Sequence, residues 1–368
     1  MKNTDTSTES TGKPLRKPIA EAAAWRANEL EDTGRWLVQL GEEEIAEIVK
    51  ATRNVAENNL KIGAFEVDDF DVPLFAERAE DIRDRVENRL GFVVIRGVPV
   101  DLFDVETAML MNWGLAAHIG EAISQNARGE LVAEVIDRGL DDSKANVRGY
   151  LTKAGGSPHC DSSDAASLIC YHPAKSGGES LLSSSLTVFN DILERHPEYL
   201  PILEEGFYMD LRGEGPSGDP DETTNHKNPV FSYYEGRMSC RYNAKSALRG
   251  ALKRGHALSS EAEQALNYIR ERALAPQNLF KFTMEGGDWS IISNHMLLHA
   301  RSTFDDHDEP ERKRRLFRIW FNLPNSRPLA PEIADRLNTG PRGGVKVREG
   351  AGYWSGPSQR LGDQVLPS

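Results

Sequence analysis

Apolar positions recur at helical spacing through the first third of the chain and in short strand-like runs after it. Pro18 can open a first helical turn, and 19–30 (IAEAAAWRANEL) is rich in helix formers, so a helix is predicted there. In 42–59, Ile45, Ile48, Val49 and Val55 fall on one helical face. In 73–90, Leu74, Ala79, Ile82, Val86 and Leu90 do the same, with Gly91 as the stop. The β-branched run 92–100 (FVVIRGVPV) reads as a strand, and 104–120 returns to helix. Beyond residue 130 the runs 167–172, 180–185, 207–212, 229–243, 289–301 and 314–323 read as strands, with a hairpin turn at Glu235-Gly236. Two helices interrupt them, 186–206 and 259–274, the second capped by Ser259 or Ser260. This pattern predicts an α+β fold, a barrel or sandwich core wrapped by helices that are mostly N-terminal. Residues 1–18 are polar and are expected to be disordered. A single domain is expected over 19–340, followed by a Gly-rich, loop-like tail over 341–368.

Composition narrows the function classes. The chain has 368 residues and a net charge of −13. That charge argues against a general nucleic-acid binder, which needs excess Lys and Arg to replace phosphate counterions. No run approaches the roughly 18–20 apolar residues that span a bilayer, and the N-terminus lacks the apolar region of a signal peptide. The three cysteines, at 160, 170 and 240, form no CxxC motif and no disulfide framework. A reducing cytoplasm is therefore the expected location, and small molecules are the expected partners.

Candidate chemistry concentrates at Ser157-Pro158-His159-Cys160-Asp161. In an extended segment, residues two apart point to the same side, so His159 and Asp161 can present an imidazole and a carboxylate to one point. That supplies two ligands of a two-His, one-carboxylate facial triad, which leaves coordination positions on Fe(II) open. His-x-Asp alone is weak, since many polar loops carry it by chance. The third ligand must come from elsewhere among His118, His172, His196, His226, His256, His295, His299 and His307. His299 stands out because it nearly ends an apolar run, and His295 shares its face on a continuous strand and stays a candidate. Downstream, Arg314, Leu316, Arg318 and Trp320 share one face of an apolar strand. A buried guanidinium needs an anion, and its planar fork suits a carboxylate. Pairing with the chain's own acidic residues is the structural alternative for each arginine.

The order His-x-Asp, distant His, then Arg resembles the Fe(II)/2-oxoglutarate-dependent oxygenases of the taurine dioxygenase (TauD/TfdA) type. The segments 91–101, 158–185, 294–306 and 314–329 carry the likeness, which spans roughly residues 75–330. It implies a double-stranded β-helix core of jelly-roll or cupin-like form. It implies His159, Asp161 and His299 as catalytic iron ligands, and Fe(II), 2-oxoglutarate and O2 as cofactor and co-substrates. Arg314 matches the arginine that receives the distal carboxylate of 2-oxoglutarate, and Ser180 in Gly177-Gly178-Glu179-Ser180 matches the hydroxyl that assists it. Arg318 matches a position near the co-substrate or substrate anion. Two departures are Cys160, where Thr is more usual, and Ser293 before Asn294; neither removes a ligand. Asp161 is a carboxylate where halogenating relatives have Gly or Ala, which favours hydroxylation.

The implied activity is hydroxylation of an unactivated C–H bond in a small organic substrate, an amino acid or natural-product intermediate, with release of succinate and CO2. Desaturation, cyclisation or epimerisation with the same cofactors is the alternative outcome, and a non-catalytic metal-binding barrel is the alternative class. Arg212 and Arg241 are candidates for binding an anionic group, and Tyr150, Tyr233, Tyr234 and Tyr242 for lining a pocket. The polar, Gly/Pro-rich segment 211–229 is a candidate lid.

Overall fold

The structure is a computed structural model that describes residues 14–140 and 149–351. Its frame is a seven-stranded sheet. In spatial order it holds Leu37–Gln39, Phe92–Arg96, Trp289–Ser293, Ala165–His172, Arg315–Asn322 and Glu121–Ile123, and Ala133–Ile136 also pairs with Arg315–Asn322. Leu37–Gln39 runs parallel to Phe92–Arg96, and the other pairings are antiparallel. A smaller sheet holds Phe280–Phe282, Ser180–Ser184 and Leu297–Arg301. The short pair Ser176–Gly177 and Phe304–Asp305 lies beside it in sequence, and Phe231–Tyr234 forms a hairpin with Arg237–Cys240. At the tip of that hairpin Glu235 and Gly236 both have positive φ, as the tight turn requires. The α+β expectation holds.

Strand alternation divides the main sheet into two apolar faces. Val93, Ile95, Ile169, Ile291, Phe317 and Ile319 pack with the helices Glu42–Glu57, Pro73–Asn88 and Val105–Ala117. Phe92, Val94, Ala166, Ile292 and Trp320 point the other way, into a cluster shared with the smaller sheet and the C-terminal helices. Both faces are covered, which is why 92–95 is buried at every position.

Several expected elements differ. The segment 19–26 is irregular, and only Ala27–Leu30 forms a 3-10 helix. Tertiary anchors override its helix propensity. Asn190 clamps the backbone of Ile19 through both its amide groups, and the Trp25 indole N–H donates to the Leu90 carbonyl at 2.8 Å. Leu74 is exposed, and Phe75 takes the buried position instead. The helix expected over 186–206 breaks at Pro197 into Ser185–Arg195 and Leu200–Glu205. Segment 207–212 makes only isolated bridges, Phe207 with Asn228 and Asp210 with Thr223. The run 289–301 is two strands, not one, because the chain turns at 294–296 and passes from the large sheet to the small one. The helix Ala244–Lys253 was not expected.

The N-terminal end also differs from expectation where it is described. Leu15 is buried and Arg16 pairs with Glu204, so 14–18 packs on the fold. Residues 341–351 are loop and pack on the fold, since Val345 is buried and its N–H donates to the Ser124 carbonyl. The remainder of the expected N-terminal and C-terminal segments lies outside the described residues. Segment 211–229 is tied down. Arg348 donates to the carbonyls of Gly213 and Gly215 at 2.6 Å, and Asn338 bonds Thr223 and Asn225.

Candidate active site

Two backbone hydrogen bonds build the site. The His159 N–H donates to the His299 carbonyl at 3.0 Å, and the His299 N–H returns the bond at 2.9 Å. This antiparallel bridge joins the loop before the strand Ala165–His172 to the strand Leu297–Arg301. It brings the two imidazole rings to 4.5 Å between centroids. Asp161 completes the group. One ligand atom from each of His159, Asp161 and His299 lies within 4.8 Å of the others. Nε2 of each histidine is 3.7 Å from an Asp161 carboxylate oxygen. Among the described residues this is the one such cluster of His, Cys, Asp and Glu.

Neighbours set the orientation of each member. Nδ1 of His159 is 2.9 Å from the Ser157 carbonyl, which leaves Nε2 as the nitrogen facing Asp161. The Asp161 N–H donates to Asn294 Oδ1 at 3.0 Å, and the Trp320 indole N–H donates to Asp161 Oδ2 at 2.8 Å. Asn294 is fixed in turn by Ser163, to which its amide donates. Burial raises the Asp161 pKa, but Arg318, His299, His159 and the Trp320 bond outweigh it and hold the carboxyl at about 2. Burial, reinforced by His159, pulls His299 down to about 3. At neutral pH the site therefore offers a carboxylate and a neutral His299 imidazole.

His295, which parity left open, is on the turn between the two strands and points elsewhere. Its Nε2 meets Asp164 at 2.9 Å and Arg336 at 3.1 Å in a buried network. Cys160 is buried, with its thiol directed at the Leu297 carbonyl, as alternation predicts. Arg318 lies beside the cluster, with Nη1 3.8 Å from Asp161 and Nε donating to Gln125 at 2.7 Å. Its guanidinium stands over the rings of Tyr150 and Trp320. Arg314 is buried just before the strand Arg315–Asn322 and stands over Phe304. Ser180 opens the strand Ser180–Ser184, opposite Phe282 and Arg301. The Tyr242 hydroxyl donates to the Leu266 carbonyl in the core, so it lines no pocket here. Trp320 and Asn294 are the orienting residues that sequence reasoning did not single out. Trp320 was legible as sharing the Arg318 face, whereas nothing in the sequence pairs Asn294 with Asp161.

Residues 52–320 match the profile of the family described as "Taurine catabolism dioxygenase TauD, TfdA family". The chain belongs to this family. FR-33289 synthase of Streptomyces rubellomurinus is 31% identical over 329 residues, 87% of this chain and 95% of that one. A taurine hydroxylase-like protein of Stachybotrys chartarum is 27% identical over 83% of this chain and 80% of its own. The solved structure of an asparagine oxygenase in complex with Fe(II), hydroxyasparagine and succinate superposes with a TM-score of 0.60 at 15% identity. It covers 78% of this chain and 93% of that one. The TauD/TfdA protein described here is a 2-oxoglutarate-dependent non-haem iron dioxygenase that uses Fe(II), 2-oxoglutarate and O2. No helix among its described residues is long and apolar enough to cross a membrane.

The residues present fit both groups. Two imidazoles and an ionised carboxylate, all within 4.8 Å, match a facial donor set for Fe(II). The fit for a dicarboxylate rests on Arg314. Its Nη1 is buried with no acceptor, and no carboxylate of the described residues forms an ion pair with its side chain. Gly178 leaves the space beside it, since a Cβ there would stand 3.2 Å from Arg314 Nε.

Proposed function

We propose that His159, Asp161 and His299 are the iron ligands and that Arg314 receives the distal carboxylate of 2-oxoglutarate, with Ser180 assisting it from the end of the Gly177-Gly178 turn. The chain then hydroxylates an unactivated C–H bond of a small organic substrate, an amino acid or a natural-product intermediate. The observation that carries this reading is the reciprocal His159–His299 backbone bridge, which gathers three donors around one point. On this reading the large and small sheets are the two halves of a double-stranded β-helix, and 14–351 belongs to one oxygenase domain. The three buried, unpaired cysteines support a reducing cytoplasm as its location.

When bound, Fe(II) and 2-oxoglutarate supply the oxidation: one atom of O2 leaves in succinate, with CO2, and the other enters the substrate. The chain's own residues do the positioning. The Ser157 carbonyl holds His159 so that Nε2 is presented. The Trp320 N–H engages one oxygen of Asp161 and leaves the other for the metal. Arg318, braced by Gln125 and two aromatic faces, keeps Asp161 ionised and places a positive charge at the edge of the site. Arg314 offers a fork already buried, so a carboxylate that binds there is shielded from water.

The test is succinate formation and O2 uptake with Fe(II), 2-oxoglutarate and candidate substrates, with the product weighed. Gain of one oxygen marks hydroxylation, loss of two hydrogens marks desaturation or ring closure, and no change marks epimerisation. Absence of the oxygen gain with every coupled substrate would overturn hydroxylation.

A further inference from the structure

Arg301 lies two residues past His299 and has no part in the roles above. Residues 152–157 run without helix or strand from the 3-10 turn Gly149–Leu151 to Pro158 and the proposed ligand His159. The stretch Ala154-Gly155-Gly156-Ser157 contains two adjacent glycines, the residue that loses most conformational freedom when it is ordered. Holding this segment in one shape therefore needs bonds from outside it. Among the described residues, every hydrogen bond from 152–157 to a distant part of the chain ends on Arg301. Its Nη2 donates to the Thr152 carbonyl at 2.9 Å and to the Ala154 carbonyl. Its own carbonyl accepts from the Gly156 N–H at 2.9 Å.

The Arg301 side chain is half-buried, and no carboxylate of the described residues forms an ion pair with it. Its guanidinium carbon stands 4.7 Å from the centre of the Phe304 ring, and that of Arg314 stands 5.1 Å from the same ring. Holding a charge beside another guanidinium and away from any acid is costly. What the charge gives in return is a strong donor for two backbone carbonyls of the glycine-rich segment. The segment reaches the metal cluster at both ends. At one end the Ser157 carbonyl meets His159 Nδ1 at 2.9 Å. Just before the other, the Tyr150 ring lies 4.8 Å from the guanidinium carbon of Arg318, whose Nη1 is 3.8 Å from Asp161. His299 is on the same strand as Arg301 itself, Leu297–Arg301. One side chain thus joins the supports of all three proposed ligands.

We propose, on the ligand set given above, that Arg301 is a positioning residue for the metal centre, clasping 152–157 so that His159 and the Tyr150–Arg318 pair are in place before iron binds. The clasp offsets the entropy of the two glycines in the folded protein, so iron does not have to order the segment when it binds.

Two readouts test this on the full chain. Lys153 is exposed inside the clasped segment, so trypsin cutting after it, followed by the mass of the fragment that begins at Ala154, reports opening of the segment without any metal. Anaerobic Fe(II) titration reports the metal centre. Arg301→Met keeps an apolar stem against Phe304 and removes every side-chain donor. It is expected to speed the cut by about tenfold or more, through loss of charged hydrogen bonds that keep the segment closed. It is expected to weaken iron binding by roughly tenfold to a hundredfold, the range for outer contacts to metal ligands, with an unfolding midpoint close to native. Both carbonyls accept from the single nitrogen Nη2, so one lysine ammonium can serve both. Arg301→Lys is therefore expected to recover most of the iron affinity and most of the protection. If Arg301→Met does not fold, Arg301→Gln, whose shorter amide falls short of the carbonyls, replaces it. Native iron affinity in the folded donor-less variant, with or without faster cutting, or an Arg301→Lys protein no better than that variant, would overturn the proposal. Absence of iron binding in the native chain contradicts the ligand set instead, and the cutting rates distinguish that outcome because they need no metal.

Discussion

Arg314 and Arg318 stand four residues apart and meet different surroundings. Arg318 already touches Asp161 and Gln125, while Arg314 keeps a buried Nη1 with no acceptor. Arg314→Ala is therefore expected to raise the KM for 2-oxoglutarate by roughly tenfold to a hundredfold, with Arg314→Lys intermediate because it keeps charge and loses the fork. Steady-state kinetics at fixed substrate checks this, and an unchanged KM in both variants removes Arg314 from the co-substrate site. Trp320→Phe keeps the ring in the core and deletes the N–H that orients Asp161. Iron affinity is expected to fall by about tenfold or more, as for other outer contacts to metal ligands, with little change in the unfolding midpoint. Equilibrium iron titration separates the two effects. At this scale spacing along one segment was informative for His159 with Asp161, which the structure brings together. Asn294, which bonds the Asp161 backbone across the fold, left no such trace.

At the scale of elements, the strand 289–301 shows where pattern reading stops. Read as one continuous strand, its parity places His295 and His299 on one face. The chain instead turns at 294–296, because it must leave the large sheet, where Ser293 pairs with Ala165, and enter the small one, where Leu297 pairs with Ser184. The polar residues at the crossing, Ser293, Asn294 and His295, are all buried, so they carry no solvent-exposed turn signal. The same logic explains the 19–26 segment, whose alanines favour helix locally while Ile19 and Trp25 are pinned by distant residues. The Ser259 cap, the Glu235-Gly236 turn and the helix Glu42–Glu57 were legible because their determinants are local. Glycine placement gives a test at this scale. Gly177 has a φ of 70°, and a Cβ there would lie 2.3 Å from the Thr303 carbonyl oxygen. Gly177→Ala is expected to cost more than about 1 kcal/mol and to raise the KM for 2-oxoglutarate by shifting the turn that flanks Arg314. Urea unfolding and kinetics on the same preparation check both, and a fully stable variant with native KM contradicts the placement of this turn.

Across the whole molecule, two clusters on opposite faces of one sheet carry the stability, and a buried polar network stitches the C-terminal segment to the site. His295 lies in that network among Asp164, Arg336 and Arg327, and burial with the two arginines holds its pKa down to about 4 against the pull of Asp164. The unfolded chain binds a proton there near pH 6.5 and the folded chain does not. Stability is therefore expected to be complete above that pH and to decline as pH falls toward 4. Urea unfolding of the metal-free protein at pH 7, 6 and 5 checks this, and a flat profile would place His295 outside the buried network. The central claim, that His159, Asp161 and His299 make this chain an iron oxygenase, is tested most directly by anaerobic iron titration of the native protein and of His159→Ala, Asp161→Ala and His299→Ala. The expected result is one tightly bound iron per native chain and loss of affinity by more than about a hundredfold in each variant. Native iron affinity in all three folded variants would contradict it.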